Sequence, residues 1–213
     1  MQWTFRPIAV AAAGLLLAGA ALAQWDGGAH WKSAMTIEGG PQAVPEVASE
    51  IWLQKDGRMR MKSSVMGINM NTITAGDTVY QWTEGGREGM KINSVAAGRP
   101  HATGDYARRI LEYRTKGHKI GAEAVDGHRC EIYELVTPAE GAQKERKEKV
   151  WLATDLKNFP VKVVVETSGM TMTSLNSEVQ LNASVPDGMV TVPADIQFRD
   201  MSEMIKQGRP PGQ

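Results

Sequence analysis

Methionine is the residue type in this sequence whose spacing could do chemistry. Of its 12 methionines, Met59 and Met61, and again Met170 and Met172, stand at i and i+2 in strand-like runs. Thioether sulfur is a soft ligand, so these pairs could hold Cu(I). Residues i and i+2 of a strand are about 7 Å apart, so one ion would need sulfurs from neighbouring strands. The same unbranched, polarizable side chains also repack around apolar partners of variable shape, or fill an adaptable core.

The remaining chemistry-bearing residues are dispersed. His30, His101, His118 and His128 show no metal-ligand spacing. Cys130 is the only cysteine, which rules out an intramolecular disulfide, and it lies in phase with Ile132, as a small buried hydrophobe would. Glu84, Glu88, Asp105 and Glu112 are carboxylates that nothing in the sequence pairs. No nucleophile elbow, phosphate loop, dinucleotide fingerprint or zinc-protease helix is present. The sequence therefore reads as non-enzymatic, with no cofactor and no metal assigned. Arg58, Arg60 and Lys62 alternate with Met59 and Met61, as the solvated face of a half-buried strand does.

Strands position these residues. The run from Lys149 to Thr167 is two β-rich segments joined by a polar loop ending in Pro160, with Val161, Val163 and Val165 in one phase. Further strands are expected around Ser33 to Glu38, Glu46 to Gln54, Arg58 to Lys62, Met66 to Met70, Thr78 to Trp82, Glu88 to Ile92 and Cys130 to Thr137. Asp56-Gly57, Gly76-Asp77, Gly85-Gly86, Asp126-Gly127 and Ser168-Gly169 punctuate them, and a turn or bulge is expected at Met66-Gly67. A long strand region follows Gly169, with Val179, Leu181 and Ala183 in phase. Pro186-Asp187-Gly188 and Pro193 bracket a last short strand, and Met201, Met204 and Ile205 mark a terminal amphipathic turn. The period changes once: Asp105 caps a helix from Tyr106 to Lys116, with Gly117 as a left-handed terminator. Glu140 to Lys149 is dense in charge and reads as a solvated hairpin excursion.

The first 23 residues read as a secretory signal peptide. Arg6 precedes an apolar run from Ile8 to Ala20, and Ala21-Leu22-Ala23 is a small-x-small cleavage site before Gln24. The Ala-rich run points to bacterial export, hence the periplasm. The whole sequence balances 24 basic against 24 acidic residues. Such a chain, with or without Arg6, gives no reason to expect nucleic acid or an anionic membrane surface as partner. No segment after the leader is apolar and long enough to span a membrane. The expected organisation is a cleaved leader over 1–23, a single β domain over 24–207 and a disordered tail over 208–213, acting as a monomer.

Three features in order resemble one family. They are the Met-rich meander from Gly57 to Ile92, the strand-loop-strand from Lys149 to Glu166, and the closing Val185-Pro186-Asp187-Gly188-Met189-Val190-Thr191-Val192-Pro193. Following a signal peptide, they are similar to the LolA-like periplasmic proteins and their relatives of unknown function. The resemblance implies a mainly β fold: a curved antiparallel sheet, or incomplete half-closed β-barrel, with one or two helices packed on its concave face. It also implies an apolar concavity that takes a lipid acyl chain or lipidated protein, with the Tyr106 to Lys116 helix as its lid. Strand phase and bulk nominate Met61, Met70, Trp82, Met90, Trp151 and Val163 as lining residues, with Tyr106 and Ile110 on the lid. A non-catalytic periplasmic carrier of a lipid-like ligand is the function so implied. The competing readings are a Cu(I)-binding protein and a structural or sensor module that binds a partner.

Overall fold

The computed structural model describes residues 27–39, 44–95, 111–139 and 145–206. The leader, Tyr106, Ile110, residues 140–144 and the tail lie outside the described residues. So do the start of the expected helix and its Asp105 cap.

Short hairpins build one open, curved sheet. The meander comprises β1 (Gly28–Glu38), β2 (Val44–Leu53), β3 (Met59–Val65), β4 (Ile68–Ala75), β5 (Thr78–Thr83) and β6 (Glu88–Asn93). Helix α1 covers residues 111–115. Then come β7 (His118–Val125), β8 (His128–Thr137), β9 (Arg146–Ala153), a 3-10 turn at Thr154–Leu156, β10 (Phe159–Thr167) and β11 (Met170–Ala183). Helix α2 (Asp187–Val190), β12 (Gln197–Asp200) and α3 (Ser202–Lys206) close the described chain. The 12 strands lie in the order β12-β6-β5-β4-β3-β2-β1-β11-β10-β9-β8-β7. Every pair is antiparallel except β12 with β6, which is parallel. Among the described residues, β12 and β7 remain as unjoined edges, so the barrel is not closed.

Period-two patterning decides which side is core. On β3, Met59 and Met61 are buried and Lys62 is exposed. On β10, Val161, Val163 and Val165 are all buried, with Lys162 and Val164 half-buried between them. Directly paired residues share a face. Trp31, Ile51 and Met61 therefore stand together on one side, and Val163 with Val150 and Tyr133 on the same side of the other arm. Trp31 meets Phe159 edge-on at 5.4 Å, which joins the two arms in one core. This is the inner face.

Helix α1 packs against it through Tyr113, whose hydroxyl donates to Glu148. Glu148 is only 1% exposed and also has Arg146 Nε 2.9 Å away as an ion pair. The charged stretch before Val150 is therefore not all a solvated excursion. Arg146 to Lys149 belong to β9, and their one carboxylate, Glu148, enters the core. Gly117 also differs from expectation, because its backbone is not left-handed. A Cβ there would lie 2.4 Å from Tyr113 O and 3.0 Å from Glu134 O, so close approach of α1 to β8 excludes a side chain.

The outer face of the meander is covered by the C-terminal segment. The expected strand after Pro186 is instead α2, held to β3 by Arg60 Nη1 donating to Met189 O (3.2 Å), while Gln54, just past β2, donates through Nε2 to Val185 O (2.8 Å) ahead of the helix. The last strand is β12, later in sequence, and its Phe198 sits over Gly89, where a Cβ would collide with the ring at 2.8 Å.

Candidate functional site

The sheet register decides what the nominated residues can share. Met61 is opposite Thr72, Thr72 opposite Gln81, and Gln81 opposite Met90. Met70 lies two residues before Thr72 on the same side of β4. Met61, Met70 and Met90 therefore gather on the inner face around Thr72 and Gln81. Met61 is buried, whereas Met70, Gln81 and Met90 are partly exposed, as are the flanking Val79 and Ile92. The surface is mostly apolar, made largely of flexible side chains, and is partly exposed at Met70, Gln81 and Met90. Val163 shares the inner face but lies on the far arm, buried in the core with Val150 and Val161.

The two nominated tryptophans point the other way. Trp82 pairs with Asn71 and Gly89 in the outer phase. There it meets Phe198 at 5.9 Å edge-on, with the Arg60 guanidinium 5.9 Å from its ring centroid. Burial pulls the pKa of Arg60 below its ordinary value. Trp151 pairs with Lys162 and Ile132. Its indole N–H donates to Glu123, and Lys162 Nζ lies 4.5 Å from the ring centroid. Both rings thus serve as buried anchors with polar partners on the outer side. Neither lines the inner face with Met61, Met70 and Met90.

The remaining candidates are placed as follows. Met59-x-Met61 lies on β3 and Met170-x-Met172 on β11, with β2 and β1 between them. Three strand spacings amount to about 14 Å, too far for one ion to take both pairs. Among the described residues, no group of three or more His, Cys, Asp or Glu gathers at one place. Cys130 is buried, its thiol pKa is raised by that burial, and Sγ–H points to His128 O at 3.4 Å. His30 stacks on Trp52 at 5.3 Å with Nε2 2.9 Å from Glu50, on the outer face. An open groove of ≈ 510 Å³ also lies on that outer side, with Lys32, Glu50, Lys62 and Asn71 in its lining.

No protein-family model matches the chain, and no curated protein matches it. Solved structures do align with it. Lipoprotein LppX of Mycobacterium tuberculosis aligns at 13% identity over 74% of this chain and 88% of that one, with a TM-score of 0.46. LprF from Mycobacterium bovis gives 13% identity over 78% and 89%, with a TM-score of 0.48. A LolA superfamily protein from Nitrosomonas europaea gives 12% over 78% and 90%, with a TM-score of 0.44.

Thr72, Thr74 and Gln81 escaped the sequence reading. As polar residues in a strand they pass for an outward phase. The signal against that was present: Thr72 and Thr74 continue the period of Ile68 and Met70, which places them inward.

Proposed function

We propose that this chain is a non-catalytic binding or carrier protein for a lipid-like ligand, an acyl chain or a lipidated protein, in the bacterial envelope. The observation that supports it is the inner surface of Met61, Met70 and Met90, apolar and partly open beside β6. Apolar area left in water costs about 25 cal/mol per Å². A curved sheet with such a face gains by covering it, with its own helix, a partner or an acyl chain. Methionines suit the last, because they adapt to chains of differing length and unsaturation. The leader read from residues 1–23 supports export to the periplasm as a processed chain. The Cu(I) alternative is disfavoured by the separation of the two methionine pairs.

The test is native mass spectrometry of protein purified from its own envelope, followed by lipid extraction. Co-purified acyl species are expected, together with binding of a fluorescent fatty-acyl probe. Met90→Asp, at a half-exposed position, should weaken the probe by tenfold or more while the fold survives, because burying a carboxylate against an acyl chain is costly. A clean apo mass with no probe binding by folded protein would leave a structural or partner-binding module as the better account.

A further inference from the structure

Three polar atoms on the inner face are buried without a partner. Thr72 and Thr74 are 0% exposed, yet neither Oγ1 makes a hydrogen bond among the described residues, and neither does the buried Nε2 of Gln81. Thr72 is directly opposite Gln81, and Thr74 follows Thr72 on the same side of β4. Buried polar groups are nearly always paired, because an unmade bond costs the full desolvation of the group. Thr72 and Gln81 lie between Met61 and Met90 with Met70 beside them, and Thr74 lies one inward pair further on, between Met59 and Val79. Together they put polar groups into an apolar surface.

All three can donate: two hydroxyls and one amide N–H. What they lack is an acceptor. No Lys, Arg or His shares the inner phase of β3 to β6 among the described residues, and Glu88 begins β6 in that phase. A free carboxylate would therefore enter without a counter-charge, which is costly away from water. A neutral carbonyl needs none.

We propose that Thr72 and Gln81 form a hydrogen-bonding subsite for the ester or amide carbonyl of an acyl-chain ligand, seated between Met61 and Met90, with Thr74 one inward pair further along β4. The inference rests on the lipid-binding reading above. Burial falls from Thr72 to the partly exposed Gln81 and Met90, so the ligand approaches from the β5–β6 side with its hydrocarbon on the methionines. Ester and amide carbonyls come from different sources, a glycerolipid and an N-acylated polypeptide, and share this acceptor chemistry.

The experiment displaces a fluorescent acyl probe with a methyl ester, an N-methyl amide, a free acid and an alkane of equal chain length. The wild-type chain should prefer ester or amide over alkane by about tenfold, the combined effect of two modest hydrogen bonds. An ester preference assigns the glycerolipid linkage, an amide preference the N-acyl linkage, and either supports the subsite. Thr72→Val keeps the shape and Gln81→Met keeps the reach. Together they should abolish the preference, leave alkane affinity unchanged and not lower thermal stability. Gln81→Met alone, at a half-exposed position, should lose part of the preference even where the double variant folds poorly. Probe binding without any ester or amide preference overturns the subsite alone, as does a preference that survives both substitutions. No probe binding at all removes the lipid-binding reading with it.

Discussion

Met66 sits where its chemistry is least suited. The β3–β4 hairpin closes in a two-residue loop, Met66-Gly67, with φ of 52° and 78°. Two left-handed residues make the type I′ turn that matches strand twist, and its first position favours Asn or Asp. A residue with a Cβ in that region costs about 1–2 kcal/mol, less for Asn or Asp, whose side chains bond locally. The equivalent first positions of the β7–β8 and β10–β11 hairpins carry Asp126 and Ser168, each before a left-handed glycine, while Lys157 before Asn158 departs from the preference as Met66 does. Met66 is 75% exposed, so burial does not compensate. Met66→Asn should therefore raise stability by about 1 kcal/mol, a shift of roughly 2–4 °C in Tm for a domain of this size. Urea denaturation at unchanged m-value checks it. A loss of stability would mean that the Met66 side chain is held in contact in solution.

At the scale of elements, the Tyr113 hydroxyl ties α1 to the buried Glu148 of β9. Removing the Tyr113 hydroxyl takes a donor from a carboxylate that is 1% exposed, which costs about 1–3 kcal/mol. Tyr113→Phe should lower stability by that amount and speed amide exchange over residues 111–115 before that of β9. Unchanged exchange in α1 would show that apolar packing alone holds it. The strands were legible because their signals are local: Met59 to Lys62 alternate, and Asp56-Gly57 and Asp126-Gly127 turn as their types demand. The failures were of two kinds. Val190-Thr191-Val192 looks like a strand, yet α2 forms there because Arg60 and Gln54, far away in sequence, bond to its backbone and flank. The phase of Trp82 and Trp151 relative to Met70 and Val163 depends on pairing across strands and, on β10, on the irregularity between Pro160 and Lys162. Proline cannot donate to a ladder, so a bulge there is reasonable, but its effect on phase is not written locally. Met61, Met70 and Met90, nominated from sequence, share the inner face in the sheet register, whereas Thr72, Thr74 and Gln81 on that face were passed over.

At the scale of the molecule, the two faces of the meander are divided between two tasks. The inner face carries Met61, Met70 and Met90, and part of the outer face, around Arg60, Tyr80 and Trp82, is covered by the chain's own C-terminal segment. That closure is polar at both ends. Asp187 accepts from Gln54 Nε2 at 3.1 Å and from Arg58 Nη2 at 2.8 Å, and the Gln54 bond and the Arg58 cation hold its pKa below the ordinary carboxylate value. Asp200 accepts from the hydroxyl and backbone N–H of Ser202, which lower its pKa likewise, while the Ser202 hydroxyl oxygen accepts from Asn93 N. A carboxylate with a depressed folded-state pKa adds stability that is complete above its unfolded pKa. That stability is lost as pH falls through the folded value, so acidification below the ordinary carboxylate range should release α2 and β12 first. Hydrogen exchange measured from neutral pH downwards should show β12 opening as pH falls through that range. Asp187→Asn should weaken the α2 clamp at neutral pH and flatten this part of the pH dependence. The same acid profile in variant and parent would mean that the Phe198 contacts with Tyr80 and Trp82, not the carboxylates, keep the outer face closed.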